Sequence, residues 1–124
     1  MKGNDAMDNK ILGKAGEDYA KKYLISRNFT ILATNYRCKF GEIDIVAKDK
    51  ENNIVFFEVK ARNSDNFGRG FESVDFFKQQ KIRKTALIFL GENKQYFNSI
   101  RFDVIDILVS KGKTLDLLHF ENAF

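Results

Sequence analysis

Asp44, Glu58 and Lys60, in the stretch GEIDIVAKDKENNIVFFEVKAR, are charged residues with apolar neighbours on either side. Glu58 and Lys60 stand two apart in a segment of strand-like composition, so their side chains project from one face about 6.5 to 7 Å apart. If the polar segment DKENN folds this strand back on EIDIVAKD, Asp44 joins that face on the neighbouring strand. The two carboxylates then come within about 5 to 8 Å at their Cβ atoms. Two unit charges 4 Å apart repel by about 4 kcal/mol at an effective dielectric near 20, so the arrangement needs a compensating partner. A hard divalent cation, Mg²⁺ or Mn²⁺, is such a partner, because it takes oxygen ligands and needs only one or two protein carboxylates beside a substrate phosphate. Asp44 and Glu58 are the candidate metal ligands, with the backbone carbonyl of Val59 as a third. Lys60 is placed to position or activate an attacking water, or to neutralise charge developing on phosphorus. Glu17, at the border of a helical apolar face, is a further candidate carboxylate, for the metal or for a water bound to it.

Each of these residues also has a plain structural reading. Glu58 and Lys60 could form an exposed ion pair worth no more than about 1 kcal/mol. Asp44 fits the polar face of an alternating strand, and Glu17 suits the first turns of a helix through the helix dipole. Glu42 could stabilise Arg37 or Lys39 as readily as serve a site.

The elements that must hold these residues are legible from periodicity. Residues 12–27 read as an amphipathic helix with Leu12, Gly16, Tyr19, Ala20, Tyr23 and Leu24 turned inward. FTILAT reads as a short strand and NYRCKFG as a turn. EIDIVAKD alternates, with Glu42 and Asp44 on one side and Ile43 and Ile45 on the other. NIVFFEVKA is apolar on both faces at its start, as a central strand would be. The loop NSDNFGRGF is expected to be mobile. A second helix follows from about Glu72 to Leu90, with Val74, Ile82, Ala86 and Phe89 inward and Gly91 as its stop. SIRFDVIDILVS and TLDLLHF are two further strands about the turn KGK. The order is α-β-β-β-α-β-β, an α/β domain with a mixed central sheet flanked by helices.

A chain of 124 residues, 44% hydrophobic, suits a single domain over 1–124, with residues 1–10 expected to be flexible. The formal net charge of +4 favours polyanionic partners. Lys78, Gln79 and Lys81, on the second helix, and Arg62, beyond the Glu-x-Lys pair, are the candidate nucleic-acid contacts. The single cysteine, Cys38, excludes an intrachain disulfide and a multi-cysteine zinc site. His119 reads as structural, as does an ion pair of Arg101 with Asp103. No apolar run approaches a membrane span and no leader is evident, so a cytoplasmic protein without membrane contact is expected.

Asp44 followed by Glu58-Val59-Lys60 resembles the Asp…Glu-x-Lys core of the restriction-endonuclease-like (PD-(D/E)xK) nuclease superfamily, with Ile43-Asp44 in place of its nominal Pro-Asp. The helical Glu17 is similar to the leading glutamate of archaeal-type Holliday-junction resolvases. GEDYAKKYL, NYRCKFGEIDIVAKD, VFFEVKARNSDNFG, KQQKIRKTA, RFDVIDI and the terminal NAF resemble, in that order, the YraN family of small bacterial proteins. The resemblance implies a restriction-endonuclease-like three-layer domain and Mg²⁺- or Mn²⁺-dependent hydrolysis of DNA, branched or double-stranded. It assigns catalysis to Asp44, Glu58, Lys60 and Glu17, and a place at the site's edge to Lys78 and Gln79. A homodimer is also implied, since junction resolvases of the superfamily work as dimers on two-fold substrates. The alternatives are a catalytically silent DNA-binding module on the same framework and a structural role without nucleic acid.

Overall fold

The computed structural model describes residues 5–63, 74–110 and 113–124. These residues form α1 (Asp5–Ser26), β1 (Thr30–Cys38), β2 (Gly41–Lys48), β3 (Asn53–Asn63), α2 (Phe76–Glu92), β4 (Ser99–Ser110) and β5 (Lys113–Phe120), in the expected order. The strands make one sheet in the order β1-β2-β3-β4-β5. Pairing is antiparallel except between β3 and β4, which run parallel across their whole length, from Asn53 beside Ser99 to Asn63 beside Val109. A parallel pair needs a crossover, and α2 lies within that connection.

The central position of β3 explains its apolar start. Val55 and Phe57 face a cluster with Ala20 and Leu24 of α1 and with Ile105 and Ile107 of β4. Ile54 and Phe56 face the opposite cluster, with Ile82, Ala86 and Phe89 of α2 and Phe102 of β4. Helix, sheet and helix are thus three layers, and each fully buried Phe contributes roughly 1.5 to 3 kcal/mol. Phe56 stacks on Phe102 and Phe102 on the terminal Phe124, at ring centroid distances of 5.4 and 5.3 Å. The Ala123 amide donates to the Phe102 carbonyl at 2.7 Å, which ties the chain's end to that layer.

α1 begins at Asp5, ahead of the expected Leu12, and ends in a Schellman arrangement. Asn28 takes a positive φ of 71°, the Phe29 amide donates to the Leu24 carbonyl and the Asn28 amide to that of Ile25. The helix approaches β3 most closely at Gly16, where a Cβ would lie 2.6 Å from the Cβ of Ala61. Tyr19, expected inward, is instead exposed, because the inward face consists of Leu12, Gly16, Ala20, Tyr23 and Leu24.

Several local expectations are corrected. NYRC is not a turn; it continues β1 to Cys38, and the reversal is confined to Lys39 and Phe40. Within the strand, Asn35 takes a left-handed φ of 51°. α2 starts at Phe76 rather than near Glu72, because the Asp75 carboxylate caps it by accepting from the Lys78 amide at 2.8 Å. Gly91 does not stop the helix; it lies in its last turn. Asn93 ends the helix instead, donating both its backbone and side-chain N–H to the Phe89 carbonyl. The loop expected at NSDNFGRGF lies outside the described residues except for Asn63, which ends β3. Of the turn KGK, only Lys113 is described, and it begins β5.

His119 and the Arg101–Asp103 pair have a structural role, as read from sequence. Asp103 is fully buried; its carboxylate meets Arg101 Nε at 3.0 Å and His119 Nε2 at 2.8 Å, and accepts from the Asn122 amide at 3.0 Å. His119 Nδ1 lies 2.9 Å from the Tyr23 hydroxyl, so this network links β4, β5 and α1. Among the described residues no helix is long and apolar enough to cross a membrane.

Candidate active site

The site opens where the β2–β3 ladder ends. Paired residues run from Lys48 beside Ile54 to Ile45 beside Phe57, and the next contact is made by a side chain: the Val59 amide donates to Asp44 Oδ2 at 2.8 Å. Opposite Asp44 on β1, between the pairs Thr34–Ile45 and Tyr36–Ile43, stands the left-handed Asn35. Alternation breaks here. Ile45 packs in the α1 cluster while Ile43 packs in the α2 cluster, so the expected sharing of one face by Ile43 and Ile45 does not occur. The local twist leaves Asp44 a seat in the gap between the strands.

Glu58 lies on the α2 side of β3 and is 8% exposed. The Lys78 ammonium, from the first turn of α2, sits 2.5 Å from Glu58 Oε2, and that of Lys60 lies 3.6 Å from the same oxygen. Asp44, Glu58, Glu42, Gly41, Lys78, Lys81 and Ile82 line a cavity of about 230 Å³. Capping at Asp75 matters to this geometry because the amide it holds is that of Lys78. Glu17 approaches from the other layer, where Asn35 Nδ2 donates to its Oε1 at 2.9 Å.

Burial, then the charge of Glu58, pushes the Asp44 carboxyl up to about 7 against the opposing hydrogen bond from Val59; Glu17 and Glu42 add smaller pushes the same way. Burial also lowers the Lys60 ammonium, against the attraction of Glu58 and with the repulsion of Lys78. Lys78 is raised instead: burial acts to lower it, but its hydrogen bond to Glu58 and the charge of that carboxylate outweigh burial.

Of the residues singled out from sequence, Asp44, Glu58, Val59, Lys60, Lys78 and Lys81 come together here, with Glu17 held at the margin. Gln79 turns away, its side-chain amide donating to the Val74 carbonyl at 3.0 Å. Arg62 pairs with Asp106 of β4 at 3.6 Å. Glu42 pairs with Arg37 at 3.3 Å and also borders the cavity. Asn35 was missed, because an asparagine before tyrosine reads as a turn and nothing in the sequence ties it to Glu17. Among the described residues there is no group of three or more His, Cys, Asp or Glu side chains arranged to hold a metal ion.

The model of the Uncharacterised protein family UPF0102 matches residues 16–107, which include every residue of the site from Glu17 to Lys81. The chain belongs to the UPF0102 family. This is the YraN family of the sequence resemblance. The UPF0102 protein of Dictyoglomus turgidum is 44% identical over 119 residues, covering 95% of this chain and all of that protein. The UPF0102 proteins of Sulfurihydrogenibium sp. and Thermodesulfovibrio yellowstonii are each 48% identical, over 95% and 91% of this chain and 97% and 95% of their own lengths. Among solved structures, the chain is similar to the EndoMS–dsDNA2 complex, with 16% identity and a TM-score of 0.40 over 71% of this chain. It is also similar to a repair endonuclease from Pyrococcus abyssi, with 19% identity and a TM-score of 0.39 over 89%. The UPF0102 chain spans 34% and 38% of those two structures.

Proposed function

We propose that this UPF0102 protein hydrolyses phosphodiester bonds in DNA with the help of Mg²⁺ or Mn²⁺. The observation that carries this reading is the convergence of Asp44 and Glu58 on one cavity with Lys78, while Lys60 meets Glu58 on the same strand. The donor set fits a hard cation: the carboxylates of Asp44 and Glu58 and the Val59 carbonyl offer only oxygen. Burial and the neighbouring Glu58 carboxylate disfavour the charged form of Asp44, pushing it up to about 7, and a bound cation would offset both. When bound, the cation supplies Lewis-acid polarisation of the phosphate and a more acidic water. Lys60 directs the attacking water or neutralises charge developing on the phosphoryl oxygens, and Lys78 and Lys81 hold the flanking phosphates. Glu17, fixed by Asn35, supplies a further acceptor at the site's margin.

Incubation of supercoiled plasmid and of linear, flapped and four-way DNA with the purified protein and Mg²⁺ or Mn²⁺ tests this. Asp44→Ala, Glu58→Ala and Lys60→Ala should each lower cleavage by at least about 100-fold while circular dichroism shows the fold retained. Cleavage unchanged in Glu58→Ala would sink the mechanism.

One observation favours a second reading, a silent DNA-binding module. Glu58 already holds two ammonium groups, which could take the place of a cation. Salt-sensitive DNA binding with no product under either metal would select that reading.

A further inference from the structure

We propose that the rim of the cavity is a track for unpaired nucleotides, built from aromatic rings interleaved with lysines along α2 and the β1–β2 turn. The inference rests on the nuclease reading for the phosphate that enters the cavity, and adds to it the class of substrate: a strand unpaired beside the scissile bond.

Phe76 and Phe77 open α2 side by side with 67% and 78% of their surfaces exposed and ring centroids 6.3 Å apart. Helical spacing sets Phe77, Lys81 and Lys84 at i, i+4 and i+7, on one stripe of the helix. Lys81 borders the cavity beside Gly41, the residue that follows Phe40 in the turn. Lys84 lies 5.5 Å from the centre of the Phe40 ring and Lys39 lies 5.3 Å from it. The Phe77 and Phe40 rings therefore flank the ammonium groups of Lys81 and Lys84, with Lys39 beyond Phe40.

The chemistry of the stripe selects its occupant. Nearby acidic side chains do not cancel its charge: Glu42 is paired with Arg37, Glu58 with Lys60 and Lys78, and Asp75 is engaged in capping the helix. A second copy of the same face would set lysine against lysine. An occupant must instead carry regularly spaced negative charge and flat apolar surfaces. A nucleic acid has both, but a duplex keeps its base faces inside the stack, whereas an unpaired strand offers them to aromatic side chains while its phosphates meet the lysines. Phe77, though it touches neither carboxylate, thus sets substrate shape.

The test reads binding, not cutting. Fluorescence anisotropy in EDTA compares a labelled duplex bearing a single-stranded arm with a blunt duplex of equal length, and 2-aminopurine in the arm reports stacking. The wild-type protein should prefer the armed DNA by about 10-fold and quench the 2-aminopurine. Phe77→Ala should abolish both effects while changing blunt-duplex affinity less than about 2-fold, and Phe77→Trp should restore them. Phe40→Leu should behave as Phe77→Ala; if it fails to fold, the Phe77 pair decides alone. Equal affinity for the two DNAs, or quenching untouched by Phe77→Ala, would overturn the track. So would a Phe77→Ala change from dimer to monomer in sedimentation with quenching intact, which would give the face to a second copy. Preference retained with no cleavage under any metal refutes hydrolysis and leaves the track standing; cleavage of blunt duplex with no preference does the reverse.

Discussion

Asp44 is held by one strong contact, the Val59 amide at 2.8 Å, in surroundings that otherwise disfavour its charge. A carboxyl with a folded pKa of about 7, against 3.8 without those surroundings, keeps its proton in the native state after the unfolded chain has lost it. Its contribution to stability therefore falls as pH rises from about 4 to about 7, and stays lost above that. Asp44→Asn retains the acceptor for Val59 and removes the titration. It should leave stability unchanged near pH 4 and raise it by up to roughly 3 to 4 kcal/mol above pH 7, measured by urea unfolding across the range. An Asp44→Asn protein no more stable than wild type at pH 8 would mean the carboxylate is well solvated. Much of this chemistry was legible in the sequence, since Asp44, Glu58 and Lys60 are conspicuous among apolar neighbours. The seat of Asp44 was not, because it depends on a break in strand alternation opposite Asn35, and alternation is what a sequence reading assumes.

Secondary elements set the site's dimensions through two close approaches. α1 meets β3 at Gly16, and a methyl group there would collide with Ala61. Gly16→Ala should cost about 1 to 3 kcal/mol in denaturant unfolding, by pushing the helix off the sheet. Gly13→Ala, with nothing within 4 Å of the new Cβ, should instead stabilise by about 0.5 to 1 kcal/mol through helix propensity. The same substitution in one helix thus takes opposite signs, and equal effects would refute the packing argument. At the start of α2, Asp75→Ala should lower stability by about 1 kcal/mol. It should also loosen Lys78, visible as weaker DNA binding, whereas removing an exposed acid such as Glu51 should not weaken binding. The sequence marked both helices by period, but their ends follow from capping geometry. Asp75 and Asn93 hold free helix N–H and C=O groups by specific side-chain contacts, which the composition of ESVDFF or GEN does not single out.

At the scale of the molecule, two apolar layers clamp a sheet whose central strand emerges charged on one face, so cation binding and folding are linked. If Asp44 and Glu58 hold Mn²⁺, saturating ion at about 100 times its dissociation constant should add about 2.7 kcal/mol to stability. The melting temperature should then rise by roughly 8 to 15 °C, EDTA should reverse the rise, and Asp44→Ala should remove it. A melt unmoved by Mn²⁺ in the wild-type protein would favour the silent module. The amino-acid sequence determined the element order, the central place of NIVFF, and the identity of the charged residues, because hydrophobic period and residue type are local properties. It could not decide which of those charges meet. Lys78 reaches Glu58 only because β4 takes its place parallel to β3 and sends α2 across the sheet between them. Asn35 reaches Glu17 only because Gly16 lets α1 sit down on Ala61. Those pairings are long-range and rest on the close packing of layers, so they exist only in the folded chain.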